Sequence, residues 1–422
     1  MAYVILAGYQ AYPDRIDSDV DFLVSESDFA RLPELLSQPA NVAGARLVQM
    51  LQHETTACYY VLAIQVGVHM AYLHPDAAAA YRRHGRLWLS SKAVLATRRL
   101  APAGFWIPAV AVEFEYYFVK RVDKALLEAR HIESLAALMA QDPDGCQAAL
   151  QRLMPSRLLA DVASAISKQN LAWLTAHRGA LKTALQRCHA KEPFKHRCSN
   201  LWTELTRKVH RILQPTGLVI AVLGPDGSGK TTLINHLEQE FAPAFRQLRR
   251  FHLRPHFGNV ASGGAVTQPH AQPPRGYFVS TLKMGLFLAD YGSGWLRHVR
   301  LAKMRSSLVV FDRYFHDMLV DPQRYRLPQN FAPARWLAPL IPKPDLWLVL
   351  NAKPEQLVAR KGEITLADAQ QLSLAYQELA RELPNAVMVD TSQSLEATLT
   401  DAVAAVRQQL EHRMSHRLAA SR

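Results

Sequence analysis

A glycine-rich stretch in the second half of the chain constrains its fold more than any other feature. Residues 224–231 read GPDGSGKT, which satisfies the pattern G-x-x-x-x-G-K-[ST] completely. An apolar run precedes the stretch at 218–223, and an amphipathic helix is predicted after it at 231–241. The three pieces together predict a strand, a phosphate-binding loop and a helix whose positive N-terminal end faces the phosphates.

The loop predicts specific roles for its residues. Its glycines allow backbone N–H groups to turn inward around phosphate oxygens. Lys230 is expected to reach the β- and γ-phosphates of ATP, and the hydroxyl of Thr231 is expected to bind Mg²⁺. Asp226 could accept a hydrogen bond from a hydroxyl of the phosphate acceptor. The residues predicted to hold the nucleotide are Gly224, Asp226, Gly227, Ser228, Gly229, Lys230, Thr231 and Thr232.

Strand-like and helical runs alternate along the rest of this half of the chain. This alternation predicts an α/β fold, with a parallel sheet of about five strands covered by helices. A stretch rich in Gly, Pro and His at 255–276 is expected to be a surface loop. The predicted strands are 218–223, 250–253, 308–311, 346–350 and 386–389.

The chain is 422 residues long, which is too long for one ordinary hydrophobic core. Residues 1–105 mix short apolar runs with helical stretches and are expected to form a small α/β domain. Residues 106–213 repeat apolar residues at helical spacing and are expected to form a helical domain or connector. Residues 214–422 are expected to form the domain that contains the phosphate loop.

Charge and cysteine content limit the class of partner and the compartment. The net charge of +13 predicts anionic partners, although basic residues are spread along the chain and no nucleic-acid-binding signature accompanies them. The four cysteines form no disulfide framework, and no apolar run is long enough to cross a membrane. We expect a cytoplasmic protein that does not bind nucleic acid, while peripheral membrane contact and a homodimer remain open.

A second motif lies downstream, where the strand at 308–311 ends in Asp312-Arg313-Tyr314. With the phosphate loop, this element resembles the thymidylate kinase family, whose members carry Asp-Arg-Tyr or Asp-Arg-Phe after a core strand. The resemblance continues through KPDLWLVLNAKPEQLVARK at 343–361 and through Tyr376 in a later helix. It covers about residues 215–410 and implies a kinase that uses ATP and Mg²⁺.

The resemblance implies roles for residues outside the phosphate loop. Arg313 would hold a phosphate of the acceptor, and Asp312 would lie near the metal and the acceptor. Arg360 corresponds to the lid arginine and, with Lys361, would stabilise charge on the transferring phosphoryl group. A guanidinium binds phosphate through two hydrogen bonds, which suits Arg313 to its implied role.

The chain departs from thymidylate kinases where the acceptor is recognised. Those enzymes usually follow Asp-Arg-Tyr with a serine and a segment that reads the thymine base, whereas this chain continues FHDMLVDPQRYR at 315–326. The lid at 362–366 is short. Helical residues 277–305 would line the acceptor side and bring Lys283, Asp290, Tyr291, Arg297 and Arg300 to it. The variant resembles thymidylate-kinase-like proteins encoded with enzymes of bacterial surface-polysaccharide assembly. We therefore expect a sugar, phosphosugar or glycan acceptor, with dTMP as the alternative.

The N-terminal region carries a separate candidate site. Gly8, followed by Asp19-Val20-Asp21, resembles the nucleotidyltransferase pattern, in which a glycine-serine turn precedes a strand with two carboxylates. Alternate residues of a strand face the same side, so Asp19 and Asp21 could share a Mg²⁺ ion. Tyr9 replaces the expected serine. No acidic residue occurs in 66–74 to supply a third carboxylate, which leaves only Asp76 beyond the end of that segment. We expect a nucleotidyltransferase-like domain that is degenerate.

Three functional classes remain open from sequence. The favoured one is an ATP- and Mg²⁺-dependent kinase. The others are a bifunctional nucleotidyltransferase-kinase and a scaffold that binds ATP without transferring phosphate. The presence of Asp312, Arg313 and Arg360 together with the phosphate loop favours chemistry over binding alone.

Overall fold

The computed structural model describes residues 1–83, 86–188, 202, 205–209, 211–255, 273–329, 331–361 and 365–420. The chain divides into two compact units. The first unit comprises Met1–Ala43, Met50–Leu62 and Leu73–Lys208, and the second comprises Gly44–Gln49, Ala63–Tyr72 and Val209–Arg422.

The N-terminal strands form one mixed sheet and two short hairpins. The sheet has the order β1-β2-β6-β4-β3, with β5 paired to β4, and β2 runs parallel to β6. The hairpins pair β7 with β8 and β9 with β10. The strands are β1 (Tyr3–Ile5), β2 (Val20–Val24), β3 (Arg46–Glu54), β4 (Ala57–Val66), β5 (His69–Leu73), β6 (Pro75–Ala78), β7 (Ala80–Arg83), β8 (Arg86–Ser90), β9 (Arg99–Leu100) and β10 (Trp106–Ile107).

Helices dominate the rest of the first unit, as the apolar spacing predicts. The helices from residue 110 onward share one core through their apolar faces, and Phe114, Phe118 and Leu150 are almost completely buried in it. The helices that the structure describes here are α1 (Glu26–Ser37), α2 (Ser91–Ala96), α3 (Val110–Lys124), α4 (Ala129–Gln141), α5 (Pro143–Leu153), α6 (Ser156–Ser167), α7 (Leu171–Ala176) and α8 (Arg178–Cys188), together with a 3₁₀ turn at Pro39–Val42.

A five-stranded, fully parallel sheet forms the centre of the second unit, which confirms the sequence prediction. The strand order is β12-β13-β11-β14-β15, so the strand that enters the phosphate loop lies in the middle. All six residues of that strand are buried, because helices cover both faces of the sheet. The strands are β11 (Leu218–Leu223), β12 (Gln247–His252), β13 (Ser307–Asp312), β14 (Leu346–Asn351) and β15 (Ala386–Asp390).

The helices of the second unit alternate with these strands. A π-helical segment, Trp295–Arg300, joins two of them, and 3₁₀ turns occur at Ala242–Ala244, Gln323–Tyr325 and Ala338–Leu340. The described helices are α9 (Lys230–Phe241), α10 (Tyr277–Gly294), α11 (Leu301–Met304), α12 (Asp317–Val320), α13 (Ala332–Leu337), α14 (Pro354–Lys361), α15 (Leu366–Glu382) and α16 (Leu395–Ala420).

Two early segments, Gly44–Gln49 and Ala63–Tyr72, belong to the second unit. The second of them contacts α9, the helix that follows the phosphate loop. Met70 N donates a hydrogen bond to a carboxylate oxygen of Glu240 at 2.6 Å, and the hydroxyl of Tyr72 donates to the Glu240 carbonyl at 2.8 Å. The helix that carries Lys230 is therefore held by residues more than 150 positions earlier in the chain.

Parallel strands place all their carboxyl ends at one edge of the sheet. Gly224, Asp312 and Asn351 follow or end the three central strands and so lie at this edge. Open parallel sheets bind ligands at such an edge, which makes it the region to inspect for chemistry. In the described part of the chain, no helix combines the length and apolar character needed to cross a membrane.

Candidate active site

The phosphate loop leaves the end of β11 through a turn that only glycine accommodates. Gly224 has a φ of 147°, and a Cβ added there would lie 3.0 Å from both the Leu350 Cβ and the Ser228 Oγ. Gly227 and Gly229 have φ values of 82° and 93°, in the left-handed region that favours glycine. These positions explain the glycine pattern physically, since a side chain would strain the loop or collide with β14.

Lys230 begins α9 and folds back into the loop. Its ammonium donates hydrogen bonds to the carbonyl oxygens of Gly224 at 2.8 Å and Pro225 at 2.7 Å. The residue is only 8% exposed. Burial, with the nearby charge of Arg313, lowers the pKa of Lys230 to about 7. A lysine held in this way can recover its charge when phosphate oxygens arrive.

Asp312 ends β13, and strand register places it beside His252 at the end of β12. Its carboxylate lies 3.7 Å from the His252 ring and 3.9 Å from the guanidinium of Arg250. Burial raises the pKa of Asp312, but hydrogen bonding to His252 and the charges of Lys230 and Arg313 outweigh burial and hold the pKa below its usual value. Asp312 therefore stays negatively charged at the sheet edge.

Arg313 occupies a conformation that is uncommon for a residue with a side chain. Its φ is 71°, and its backbone N–H donates to the Val222 carbonyl at 3.0 Å. One end of the guanidinium donates to Asp317 at 2.5 Å, and the other end binds Asp226 of the phosphate loop. Burial opposes the charge, but these carboxylates raise the pKa of Arg313 above its usual value. The arginine is thus a fixed, buried cation.

Asp317, one turn after Arg313, is the fully buried anchor of this arrangement. Besides Arg313, its carboxylate accepts hydrogen bonds from the Tyr325 hydroxyl at 2.7 Å and the Tyr376 hydroxyl at 2.5 Å. Burial and the adjacent Asp317 carboxylate raise the pKa of both tyrosines well above the usual value, so both remain donors. This cluster fixes the orientation of the Arg313 guanidinium.

Asp226 is the meeting point of three cations. Its carboxylate binds Arg313 and Arg324, and the Lys230 ammonium lies 3.8 Å away. Burial raises the pKa of Asp226, but Arg313, Arg324 and Lys230 together lower it well below the ordinary range. Arg324 is positioned by the 3₁₀ turn Gln323–Tyr325, where its N–H donates to Asp321 at 3.1 Å. Asp226 therefore links the phosphate loop to two arginines.

Sequence reasoning missed Asp317, Arg324 and Tyr325 as members of this site. A signal for Asp317 was present, because its four-residue spacing from Arg313 allows an ion pair within one helical turn. Arg324 and Tyr325 lay within the quoted VDPQRYR segment, but only the folded chain shows which carboxylates they meet. Tyr291, expected on the acceptor side, is instead a core residue whose hydroxyl donates to the Leu253 carbonyl.

Arg360 lies near the end of α14 and reaches the phosphate loop. Its guanidinium donates to the Gly227 carbonyl at 3.1 Å, and the side chain is exposed. The side chain of Lys361 and the lid residues 362–364 lie outside the described residues. Of the residues predicted to act from the lid side, the structure therefore shows Arg360 at the phosphate loop.

The surroundings of the loop fit a nucleoside triphosphate and Mg²⁺. Ser228 Oγ is buried and has no hydrogen-bond partner among the described residues, which leaves it available to a phosphate oxygen. Thr231 and Thr232 are exposed in the first turn of α9. The Thr231 hydroxyl and the charged Asp312 carboxylate are oxygen ligands of the kind that Mg²⁺ prefers.

The other predicted metal ligands, Asp19 and Asp21, lie in the first unit. Asp21 forms an ion pair with Lys120 at 2.7 Å, and Asp19 accepts a hydrogen bond from the Tyr59 hydroxyl at 3.1 Å. Strand register places Asp76 of β6 beside Asp21 of β2. Across the described residues, no group of three histidine, cysteine or acidic side chains is arranged to hold a metal ion.

Comparisons with known proteins find similarity over about half of the chain. No protein-family model matches the chain. The thymidylate kinase of Xanthomonas campestris pv. campestris (strain B100) is 28% identical over 212 residues, covering 48% of this chain and 88% of that protein. The thymidylate kinase of Xanthomonas oryzae pv. oryzae (strain PXO99A) is 28% identical over 224 residues, with the same coverage, 48% and 88%.

Solved structures of thymidylate kinases also align with this chain. The enzyme from Candida albicans aligns with a TM-score of 0.35 at 17% identity, covering 47% of this chain and 94% of that chain. The enzyme from Ehrlichia chaffeensis aligns with a TM-score of 0.32 at 14% identity, covering 45% and 98%.

The similarity to the Xanthomonas proteins extends over about half of this chain, which carries a phosphate loop and an Asp312-Arg313 element. Kinases of that type use ATP and Mg²⁺, which agrees with the ligands that the loop fits. Over about half its length, the chain is therefore a P-loop kinase, a phosphotransferase of the thymidylate-kinase-like type.

Proposed function

We propose that the second unit transfers the γ-phosphoryl group of ATP to an acceptor that itself carries a phosphate group. The acceptor we favour is a sugar phosphate or another precursor of a surface polysaccharide. One observation carries the proposal: Asp226 of the phosphate loop binds both Arg313 and Arg324. This bridge ties the donor loop to two guanidinium groups suited to a second phosphate, which favours transfer over simple hydrolysis.

On the donor side, the loop N–H groups and Lys230 would hold the β- and γ-phosphates. Thr231 and Asp312 would hold Mg²⁺, which when bound neutralises charge on the phosphate oxygens. The Lys230 ammonium is bonded to neutral carbonyl oxygens at 2.7 and 2.8 Å. Charged phosphate oxygens are stronger acceptors, so we expect Lys230 to exchange these carbonyls for phosphate.

On the acceptor side, we assign different roles to Arg313 and Arg324. The Arg313 side chain is only 4% exposed and is anchored by Asp317, so it supplies a fixed positive charge. The Arg324 side chain is 20% exposed, and we assign it the first contact with the acceptor phosphate. When Arg324 turns to that phosphate, one oxygen of Asp226 becomes available to a hydroxyl of the acceptor.

Catalysis of phosphoryl transfer depends mainly on positioning the donor and acceptor and on stabilising the charge of the transferring group. Arg360 supplies a further cation beside the loop, since its guanidinium lies 3.1 Å from the Gly227 carbonyl. We assign it to the charge that develops on the transferring group. Because its side chain is exposed, closure of the acceptor site would be needed to give that charge its full effect.

The residues after Arg313 support a sugar phosphate over a base-specific acceptor. Tyr314 and Phe315 are fully buried in the core, and Asp317 is committed to Arg313 and two tyrosines. Tyr314, Phe315 and Asp317 are therefore not available to read a thymine base. The second candidate is dTMP, which the 28% identity to a protein named thymidylate kinase suggests.

A transfer screen with γ-labelled ATP tests the proposal. It compares sugar phosphates, lipid-linked sugars, dTMP and other nucleoside monophosphates. We expect label on a sugar phosphate, loss of that signal in Lys230→Ala, and no loss in Lys343→Ala, an exposed lysine of the same unit. Efficient labelling of dTMP alone would overturn the sugar-phosphate acceptor, and ATP binding without transfer to any compound would favour a scaffold.

For the first unit, we propose a degenerate nucleotidyltransferase-like arrangement. The parallel pairing of β2 with β6, which sets Asp76 beside Asp21, supports the resemblance. Tyr9 in place of a serine and the Lys120 ion pair on Asp21 argue against nucleotidyl transfer. Pyrophosphate release from a nucleoside triphosphate that survives Lys230→Ala but not Asp21→Ala would instead establish a bifunctional enzyme.

A further inference from the structure

The first unit contains a cavity of about 530 Å³ that the kinase proposal does not use. A cavity of this size accommodates a small metabolite. It is lined by the loop after β1, by the start of β2 and by one face each of α3 and α4. The charged and aromatic residues of the lining that matter below are Tyr9, Asp21, Arg99, Glu113, Lys120 and Arg121.

The Asp21 carboxylate in the cavity lining is already neutralised by a cation of the protein. The Lys120 ammonium lies 2.7 Å from Asp21 and donates to the Tyr116 hydroxyl at 2.8 Å. The Lys120 side chain is 16% exposed, so this pair is sheltered from solvent. Asp19 and Asp21 therefore do not fit a shared Mg²⁺ ion, because the ion would have to displace a buried ammonium.

A second acidic group in the cavity is also satisfied. Glu113 is 3% exposed and accepts a hydrogen bond from the Tyr9 hydroxyl, with the Arg99 guanidinium 3.8 Å away. Burial raises the pKa of Glu113, and the bond from Tyr9 and the charge of Arg99 oppose that rise. Lys120 and Arg99 are therefore each paired with a carboxylate.

Arg121 differs from these two cations. Its guanidinium carbon lies 4.9 Å from the centre of the Tyr117 ring, close enough for a cation to be attracted to the aromatic face. Within the described residues, its Nε is buried without a hydrogen-bond partner, and it forms no ion pair. Such a guanidinium, without an acidic partner among the described residues, is suited to an anion that supplies two oxygens.

We propose that this cavity binds a phosphorylated small molecule without a divalent cation, with Arg121 as the phosphate ligand and Lys120 in the electrostatic place of the metal. A phosphate near Asp21 would be repelled unless a positive charge screened that carboxylate. Lys120 supplies this charge permanently. The polar lining, which includes Gln10, Ser18 and Ser134, suits the hydroxyl groups of a sugar or a nucleoside attached to the phosphate.

Calorimetric titration of the full chain tests this inference. The Lys230→Ala variant serves as the starting protein, so that the phosphate loop contributes least to the signal. Inorganic phosphate, pyrophosphate and ATP are titrated in excess EDTA. We expect at least one of them to bind, and Arg121→Met to weaken that binding by about tenfold to a hundredfold, as loss of a charge-assisted hydrogen bond does.

Two further variants keep the result interpretable. Arg157→Met changes an exposed arginine of α6 and should leave affinity unchanged. Arg121→Lys preserves charge and packing volume but loses the planar fork, and should bind more weakly than arginine and more tightly than methionine. An unfolding midpoint measured for each variant separates loss of binding from loss of fold.

The role of Lys120 has its own outcome. Lys120→Met should lose binding in EDTA and regain it when Mg²⁺ is added, because the ion can then screen Asp21. Binding by Lys120→Met in EDTA at full affinity would refute the substitution of lysine for metal. The proposed site would be overturned if the Lys230→Ala protein bound none of the three compounds. It would also be overturned if that protein bound them only in the presence of Mg²⁺.

Discussion

The Asp317→Asn substitution offers a direct test of the buried network beside the phosphate loop. It removes one negative charge while keeping the size of the side chain. The wild-type carboxylate is fully buried and accepts hydrogen bonds from Arg313 at 2.5 Å, Tyr325 at 2.7 Å and Tyr376 at 2.5 Å. An asparagine offers one acceptor oxygen and an amide that faces a donor, so at least one of these bonds is lost.

The expected loss of stability follows from that count. Losing a hydrogen bond to a charged partner destabilises by roughly 1.5–3 kcal/mol, and leaving a buried hydroxyl unsatisfied adds about 1–3 kcal/mol. Arg313 retains Asp226 as a carboxylate partner, which keeps the total near the roughly 3–5 kcal/mol typical of a broken buried pair. For a unit of this size, each kcal/mol lowers the unfolding midpoint by about 2–4 °C, so we expect a drop of roughly 10 °C.

Differential scanning calorimetry measures this drop. The transition to follow is the one that Mg²⁺ and ATP raise in the wild-type chain but not in Lys230→Ala, because that difference reports binding to the phosphate loop. Asp368→Asn is the matched control, since Asp368 is exposed and its carboxylate accepts only the Thr365 hydroxyl among the bonds described. A midpoint shift for Asp317→Asn no larger than that of the control would refute the network as a source of stability.

Three further predictions concern the donor and acceptor sites. Because the pKa of Lys230 is about 7 before phosphate binds and should rise when it binds, ATP binding at pH 8 should take up close to one proton, and calorimetry in buffers of different ionisation enthalpy would contradict this if it found none. Arg324→Met should raise the KM for the acceptor by about tenfold or more while changing the KM for ATP little; equal increases would exclude its acceptor role. Gly224→Ala should abolish ATP binding because its Cβ would lie 3.0 Å from Leu350, whereas Gly292→Ala, which meets nothing within 4 Å, should bind normally in the same equilibrium dialysis.

The central strands of the second unit were predictable because burial dictates their composition. Residues 218–223 were predicted as a strand and form β11, whose side chains are all buried. The edge strand β12 was placed at 250–253 but spans Gln247–His252, since most of its side chains are exposed and polar and carry no apolar signal. A strand covered on both faces is read from sequence more easily than one at an edge.

The side-chain network of the site was less predictable. Asp317 and Tyr376 are 59 residues apart, and only the packing of α12 against α15 brings them together. The implied contact of Arg313 with an acceptor stays a prediction, but the finding that two carboxylates hold it could not be inferred from its motif. Local patterns determine which strand ends at the site, whereas partners between distant elements depend on the complete fold.

Because Gly44–Gln49 and Ala63–Tyr72 belong to the second unit, the gene cannot be divided between its two halves without removing part of that unit. A recombination breakpoint near residue 213 would yield an apparently complete kinase reading frame. The product would lack Met70 and Tyr72, so the carboxylate and carbonyl of Glu240 on α9 would lose the hydrogen bonds that these two residues donate. Selection should therefore act against fusions and truncations at this junction, and the two halves of the gene should be inherited as one module.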